Sequence, residues 1–407
     1  MDFLPTWPLE FNTMTSFSIL LVAGAMGGYL AHTMRWLPSI TGFMLFGYIA
    51  GPSGMDILSA DALSSAHVII DIALGLILYR LGLSLDIKAV LRSQYLLLAT
   101  ILETVATLLA VYFVLRFFDV SALTAAIVAA ICTSSSPAVL IHVGHELRAK
   151  GPVTDSAASL VALNNVISFL LFSALLPIAH MEADASWTVI VFQPLYRLLG
   201  SFLLAAVIAY GLHYLILATR KAKQYRLALV VGATMLALGL ANALVLSILF
   251  APLALGIIVR NIEHENVISN IEFGETFELF FIVLFVFAGA NLHIDELMQY
   301  APVAIALVFA RGLSKWFGVF VAAKSYRMPP QAAVSTGLLL VPMAGLAIGL
   351  VQTTGQLFPQ ENAAVSALVF GAVAIFETIG PLIAVWAFKH SGEVGKEMGK
   401  EVSKKEE

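Results

Sequence analysis

Polar side chains interrupt two long apolar runs of this sequence. Asn164 and Asn165 lie near the middle of the run 156–178, and an earlier run is interrupted at residues 133–137. Carboxamides, hydroxyls and unwound backbone are costly in hydrocarbon, because no water is present to satisfy their hydrogen bonds. They persist where they line a cavity that handles a polar solute or an ion. The candidate binding residues are Ser134, Ser135, Ser136, Asn164 and Asn165.

Charged side chains also fall inside the apolar runs. Each is costly at membrane depth and is therefore a functional candidate. A carboxylate can hold either a cation or a proton, since its pKa can be tuned to the working pH. Glu377 has two interpretations, as a titrating group or as a structural partner of Arg311 or Lys315, which share one helix face. The candidates for proton coupling or charge compensation are Asp71, Glu103, Arg311, Lys315 and Glu377.

The composition is that of a polytopic membrane protein. Of the 407 residues, 60% are hydrophobic and 12% are charged, whereas a soluble domain is about half apolar and about a quarter charged. The net charge of −4 and the absence of a basic, aromatic-rich stretch give no indication of nucleic-acid binding. The single cysteine, Cys132, excludes an intrachain disulfide and a cysteine-rich metal cluster. We find no phosphate loop and no nucleophile paired with a base, so nothing in the sequence indicates an enzyme.

Apolar runs long enough to cross a membrane position these residues. A spanning helix needs about 20 mostly apolar residues, and the sequence predicts about thirteen such helices, of which the second and ninth are short. The predicted spans are 15–34, 37–50, 65–84, 94–116, 121–143, 155–179, 188–218, 226–244, 246–259, 275–292, 301–323, 332–355 and 363–388.

Loop charges predict the orientation. Lysine and arginine concentrate in alternate loops and acidic residues in the others, which by the positive-inside rule places the N-terminus outside. An odd number of spans then leaves the tail, residues 391–407, in the cytoplasm. We expect the membrane to be the inner membrane of a bacterium. The tail has mixed charge and little apolar surface from Glu393 onward, so we expect it to be solvated or frayed.

The order of the unusual spans repeats. The first set comprises Glu103, the break at 133–137 and Asn164-Asn165, and the second comprises Arg311 with Lys315, a break at 341–345 and Glu377. An offset of seven spans reverses the second set in the membrane, which predicts an inverted-topology repeat whose two broken helices meet near the midplane. In the alternative interpretation Pro137 and Pro342 only kink two packed helices.

Several segments resemble cation:proton antiporters. One of them is an apolar helix that ends in Gly82 and Leu83 and is followed by Asp86. The segments are 73–86, 133–140, 162–169, 285–292, 310–318, 337–349 and 378–382. By their order and spacing over nearly all of residues 15–390, the chain is identified as a member of the monovalent cation:proton antiporter superfamily, closer to its second family of sodium/proton and potassium/proton exchangers.

This resemblance implies an all-α polytopic membrane fold with two crossed, broken helices. It divides the transporter unit, residues 1–390, into a core and a dimerisation scaffold. The core comprises about 65–179 and 275–388, and the scaffold about 15–50 and 188–259. It also implies a homodimer in membrane lipid, an elevator-like exchange of Na⁺ or K⁺ for protons, and no resident cofactor or metal.

One position departs from the family pattern. The residue that matches Asn165 is usually an aspartate, and an asparagine cannot titrate, although its carbonyl oxygen can bind a cation. We therefore predict an exchanger whose proton coupling comes from another acid. Two alternatives stay open, namely an anion or neutral-solute carrier that uses Arg311 with the serine–asparagine site, and a sensor that does not transport.

Overall fold

Apolar runs of the sequence become helices throughout the part of the chain that the structure describes. The computed structural model describes residues 13–34, 39–59, 63, 67–175, 187–218, 225–263, 276–290, 294–343, 345–358 and 360–395. Two units are distinguished, Met1–Ala73 with Phe273–Ile294 and Leu74–Glu272 with Asp295–Glu407. The helices in the described ranges are α1 Thr13–Thr33, α2 Ser39–Ala50, α3 His67–Leu83, α4 Ile87–Arg92, α5 Gln94–Phe117, α6 Ala122–Cys132, α7 Pro137–Glu146, α8 Pro152–Ala174, α9 Trp187–Ala218, α10 Arg226–Ala243, α11 Phe250–Ile262, α12 Thr276–Ala290, α13 Ile294–Ser325, α14 Pro330–Leu339, α15 Gly345–Leu357 and α16 Asn362–Ser391.

Each predicted span coincides with a helix or with a broken pair of helices. The fifth span is α6 with α7, and the twelfth is α14 with α15. Within the described ranges, eight regions are long and apolar enough to cross a membrane, and α11 and part of α12 are shorter apolar helices. The all-α membrane fold is therefore confirmed, and the count of thirteen spans stays a prediction. The short helix α4, which Asp86 caps at its N-terminus, was not predicted.

The first unit packs its helices through glycine. A Cβ atom at Gly27 would overlap the carbonyl oxygen of Gly42, so α1 and α2 contact each other backbone to backbone. Similarly, a Cβ at Gly47 would overlap the carbonyl of Val286, and one at Gly289 would overlap that of Met44. Small residues allow this close approach between helices in lipid, where van der Waals packing drives association.

Two helices of the second unit are broken rather than kinked. Helix α6 ends at Cys132, and α7 begins with Pro137 after Ser136, whose Oγ accepts a hydrogen bond from the amide of Val139 at 3.3 Å. A serine N-cap followed by proline starts a new helix, because the proline has no N–H to continue the old one. The amide of Ser136 donates to the carbonyl of Pro342 at 2.8 Å, so the two breaks meet. The kink interpretation is therefore wrong.

Two long helices hold the four half-helices together. Both α8 and α16 pack against α6, α7, α14 and α15, and α8 also packs against α5. Helix α8 carries Asn164 and Asn165, and α16 carries Glu377. The two helices thus occupy equivalent positions around the breaks, as the predicted repeat requires.

Candidate functional site

Two buried cations of α13 bind the broken end of α6. Arg311 donates from Nε to the carbonyl of Cys132 at 2.8 Å and from Nη2 to that of Ser134 at 2.5 Å, and Lys315 Nζ donates to that of Thr133 at 2.8 Å. The last carbonyls of a helix have no partner within it and carry partial negative charge. Arg311 Nη1 also donates to the carbonyl of Val341 in the second break. Arg311 and Lys315 therefore stabilise backbone that would otherwise be unsatisfied.

Lys315 also forms a buried ion pair with Glu103 of α5. Both side chains are almost fully buried, with 0% and 1% of their surface exposed, respectively. The same Oε1 atom of Glu103 accepts from Asn164 Nδ2 at 3.2 Å, and Oε2 accepts from Thr104 Oγ1 at 3.3 Å. A Cβ at Gly318 would come within 2.5 Å of the Glu103 Cα, so glycine there allows α13 to approach α5. The charge of Glu103 is thus offset by a cation and by two hydrogen bonds.

The two asparagines turn their amide nitrogens toward known acceptors. Asn164 Nδ2 donates to Glu103 and, at 3.3 Å, to Ser135 Oγ, and Asn165 Nδ2 donates to the carbonyls of Ser135 at 2.9 Å and Val161 at 2.8 Å. These acceptors fix the orientation of both carboxamides. Their Oδ1 atoms are buried and accept no hydrogen bond from the described residues. Buried acceptors of this kind are uncommon, and carboxamide oxygens are ligands of hard cations.

The three predicted serines play different structural parts at the break. Ser135 Oγ donates to the carbonyl of Leu340 at 2.9 Å, which joins the two breaks, and accepts from Asn164. Ser134 Oγ donates back to Ile131 at 2.7 Å, and Ser136 caps α7. Ser135 is therefore the serine hydroxyl that contacts an asparagine carboxamide. An ion-binding role for each of the three stays a prediction.

The predicted acids Glu377 and Asp71 lie on α16 and α3, respectively. Glu377 is fully buried on α16. The preceding residue, Phe376, places its ring centroid 4.6 Å from the Arg311 Cζ, within the range of a cation–π contact. Asp71 is half-buried on α3, in the segment Met1–Ala73 of the first unit. Proton coupling or charge compensation by either acid stays a prediction.

Sequence reasoning missed the groups that Arg311 binds. Its hydrogen-bond partners are backbone carbonyls, and a carbonyl has no residue-type signature. The ring of Phe376 could be found only as the neighbour of Glu377 on a helix that packs around the breaks. The sequence did offer one signal, a pair of cations four residues apart in the span before the second break. This pair identified the helix that holds the site together.

Comparison with known proteins identifies the fold. A profile of the family described as "Sodium/hydrogen exchanger, transmembrane" matches residues 17–389. A structure of the sodium proton antiporter MjNhaP1 from Methanocaldococcus jannaschii at pH 8 is similar, with a TM-score of 0.70 and 19% identity over 94% of this chain and 98% of that chain. A structure from an EM map of the same antiporter has a TM-score of 0.71 and 18% identity over the same shares. No curated protein sequence matches significantly.

Proposed function

Because the chain belongs to the sodium/hydrogen exchanger family, we propose that it exchanges Na⁺ or K⁺ for protons across a membrane through a site formed by Asn164, Asn165 and Glu103. Membership makes the chain a multi-pass membrane transporter rather than an enzyme, with transported ions and no cofactor. The superfamily predicted from the sequence is thereby confirmed, and the narrower placement in its second family stays a prediction.

The observation that carries this proposal is a pair of unpartnered buried oxygens beside a buried ion pair. The Oδ1 atoms of Asn164 and Asn165 accept no hydrogen bond from the described residues, and the amide of Asn164 donates to Glu103. Two carboxamide oxygens and one carboxylate offer a small cation the oxygen ligands that it requires. A cation in hydrocarbon needs such compensation because burial of an isolated charge is very costly.

Proton coupling follows from the pairing of Glu103 with Lys315. When a cation binds Glu103, it competes with the Lys315 ammonium for the same Oε1 atom. The ammonium then loses one proton, becomes a neutral amine and leaves the carboxylate to the cation, and the reverse step restores the ion pair. One positive charge enters as one leaves, so the total charge of the site stays constant. The lysine thus supplies the titration that asparagine cannot provide.

The anion alternative has less support from these contacts. Each of the three guanidinium nitrogens of Arg311 already donates to a backbone carbonyl, at Cys132, Ser134 and Val341. These bonds use three of the five guanidinium N–H groups, and an anion that displaced one of the carbonyls would leave it unsatisfied at a cost of about 1–3 kcal/mol. No contact among the described residues favours the third alternative, a sensor without transport.

The proposed motion is an elevator-like displacement of the broken helices. Its support is that the two breaks are hydrogen-bonded to each other and that α8 and α16 each pack on all four half-helices. We propose the core at about 65–179 and 275–388, and a homodimer through the scaffold that includes 188–259. Helix α9 exposes Phe202, Val207 and Tyr214, which would meet lipid or a second copy. We propose a bacterial inner membrane with the N-terminus outside.

Flux in proteoliposomes tests the proposal. We expect an imposed pH gradient to dissipate on addition of Na⁺ or K⁺, and not on addition of anions paired with an impermeant cation. Lys315→Arg is the sharpest variant, because it keeps the positive charge beside Glu103 on a group that does not release its proton. We expect it to bind the cation poorly and to abolish coupled flux. Dissipation by no monovalent cation would contradict the proposal, and dissipation by an anion would favour the alternative.

A further inference from the structure

Helix α8, which carries the asparagine pair, begins without a capping side chain of its own. Its N-cap is Gly151, which has no side chain, and Pro152 follows at the first helical position. The proline has no N–H, so the amides of Val153 and Thr154 are the first donors that need an acceptor outside the helix. A helix start in this arrangement needs an acceptor from another part of the chain.

Glu393, which follows the end of α16, is that acceptor. Its Oε1 accepts from the Val153 amide at 2.8 Å, and its Oε2 accepts from the Thr154 amide at 2.9 Å and from Thr154 Oγ1 at 2.7 Å. Only 3% of the residue is exposed. A carboxylate at a helix N-terminus forms charge-assisted hydrogen bonds and interacts favourably with the helix dipole. These interactions offset the cost of burying the carboxylate.

The backbone around Glu393 is shaped for this contact. Gly392 ends α16 with a φ of 70°, in the left-handed region that glycine adopts without strain, and turns the chain back. The amide of Lys150 donates to the Glu393 carbonyl at 3.2 Å, and the amide of Gly395 donates to that of Leu147 at 3.3 Å. We refer to residues 392–395 as the C-terminal latch. The expectation of a solvated tail from Glu393 onward is wrong for Glu393 itself, whereas Val394 is exposed.

Gly151 is required for the latch for a steric reason. A Cβ at this position would overlap the Cδ and Oε1 atoms of Glu393. Glycine at 151 therefore makes space for the carboxylate that replaces its missing cap. Two residues far apart in the sequence, Gly151 and Glu393, form one contact, and either of them can be changed to break it.

We propose that Glu393 is a positioning residue, which joins the ends of α8 and α16 and so fixes the depth of Asn164 and Asn165 at the breaks. A helix transmits an axial displacement along its length, and the segment from Val153 to Asn164 is about 16 Å long at the helical rise. A loosened start of α8 therefore changes the ligand positions at the site. The functional part of this inference rests on the proposed cation exchange.

The direct test is hydrogen exchange of the backbone amides at the start of α8, which requires no transport. We expect Glu393→Gln and Gly151→Ala each to raise the exchange rate at Val153 and Thr154 about tenfold, because charge-assisted hydrogen bonds are lost. The matched control is Glu397→Gln, the same chemical change four residues along the tail. It should leave the rate unchanged. Unchanged exchange in the first two variants would overturn the latch, whatever the protein transports.

The functional test measures how flux depends on cation concentration. We expect the half-saturating concentration of Na⁺ or K⁺ to rise about fivefold in Glu393→Gln, while the maximal rate falls less than about twofold, since only ligand geometry is altered. Glu393→Asp, which keeps the charge with a shorter reach, should lie between Glu393→Gln and the unmodified protein. A loss of maximal rate at constant half-saturation would overturn the positioning role.

The two tests remain informative if one variant does not fold or if no flux is found. Gly151→Ala breaks the contact without touching Glu393, so a folding defect of one variant leaves the other to decide. If the unmodified protein carries no cation flux, the proposed function fails, and hydrogen exchange still decides whether the latch exists.

Discussion

The break between α6 and α7 and the break between α14 and α15 differ in the origin of their hydrogen-bond partners. In the first break, the carbonyls of Cys132, Thr133, Ser134 and Ser135 accept from Arg311, Lys315 and Asn165. All these donors are side chains of intact helices. The first break therefore gathers charged and polar side chains around itself.

Most hydrogen-bond donors to the second break come from the first break. The carbonyls of Leu340, Val341 and Pro342 accept from Ser135 Oγ, Arg311 Nη1 and the Ser136 amide. Its own side chains from Leu340 to Met343 are apolar. Between the two breaks, the first thus supplies donors and candidate ligands, and the second supplies backbone acceptors. A structural repeat can therefore keep its geometry while its two breaks differ in chemistry, with Arg311 as a donor to both breaks.

Removal of Arg311 should have the largest effect, because it affects both breaks. Arg311→Met leaves the carbonyls of Cys132, Ser134 and Val341 without this donor, and we expect a loss of stability of about 4 kcal/mol or more. Arg311→Lys should recover only part of it, since one ammonium cannot replace a planar fork. Thermal unfolding of the purified protein in detergent measures the change.

The control for this prediction lies on the same helix. Leu313 is 63% exposed, so Leu313→Ala should leave Tm nearly unchanged. If Arg311→Met proves as stable as Leu313→Ala, the second break does not depend on this side chain, and the dependence inferred from the comparison is wrong.

The next largest effect compares one acid from each repeat. Glu103→Gln leaves the Lys315 ammonium buried without its counter-ion, and we expect a loss of about 3 kcal/mol together with loss of coupled flux. The double variant Glu103→Gln/Lys315→Met removes both charges and should regain most of the stability without regaining exchange. Glu377→Gln is the matched change in the second repeat. It should retain measurable exchange, because the proposed coupling pair, Glu103 and Lys315, is left intact. Proteoliposome flux and Tm are measured together.

Two outcomes would contradict this assignment. Coupled flux in the double variant would exclude the Glu103–Lys315 pair as the coupling element. Loss of flux in Glu377→Gln with full activity in Glu103→Gln would mean that the acid of the second repeat, and not that of the first, is the coupling group.

Local signals made the breaks and the asparagine pair predictable from the sequence. A serine cap with a following proline acts over a few residues, and buried carboxamides stand out in an apolar helix. The depth of Glu103 and Lys315 in their spans also marked them as candidates, and the structure brings the two together. Their roles in transport stay predictions.

Contacts between distant parts of the chain could not be predicted in the same way. Glu393 is an ordinary acidic residue in a mixed-charge tail, and nothing in its neighbourhood indicates that Val153 and Thr154 lack an acceptor. The short helix α4 was hidden because its length and charge are those of a loop. Residue types report local conformation and cost of burial, whereas such partners depend on how the helices pack.

A smaller effect should follow from placing a carboxylate at the first break. In Asn165→Asp the two donors to the carbonyls of Ser135 and Val161 are lost, and we expect a stability loss of about 2 kcal/mol at alkaline pH. The loss should be smaller in acid, where the protonated carboxyl can donate one hydrogen bond, so stability falls as the pH rises. Tm measured against pH checks the sign. Asn165→Ala is the control, and its loss should not depend on pH.

The smallest expected effect concerns the start of α7. Ser136→Ala removes the hydroxyl that caps this helix, and N-cap replacements cost about 1 kcal/mol. The start of α15 is the comparison, because Met343→Ala in the second break removes no hydrogen-bonding group. We expect Ser136→Ala to increase hydrogen exchange at the Val139 amide and Met343→Ala to leave the exchange at Val139 unchanged. Equal exchange at Val139 in both variants would mean that its amide does not depend on the side-chain cap, and the two breaks would then differ less than their contacts indicate.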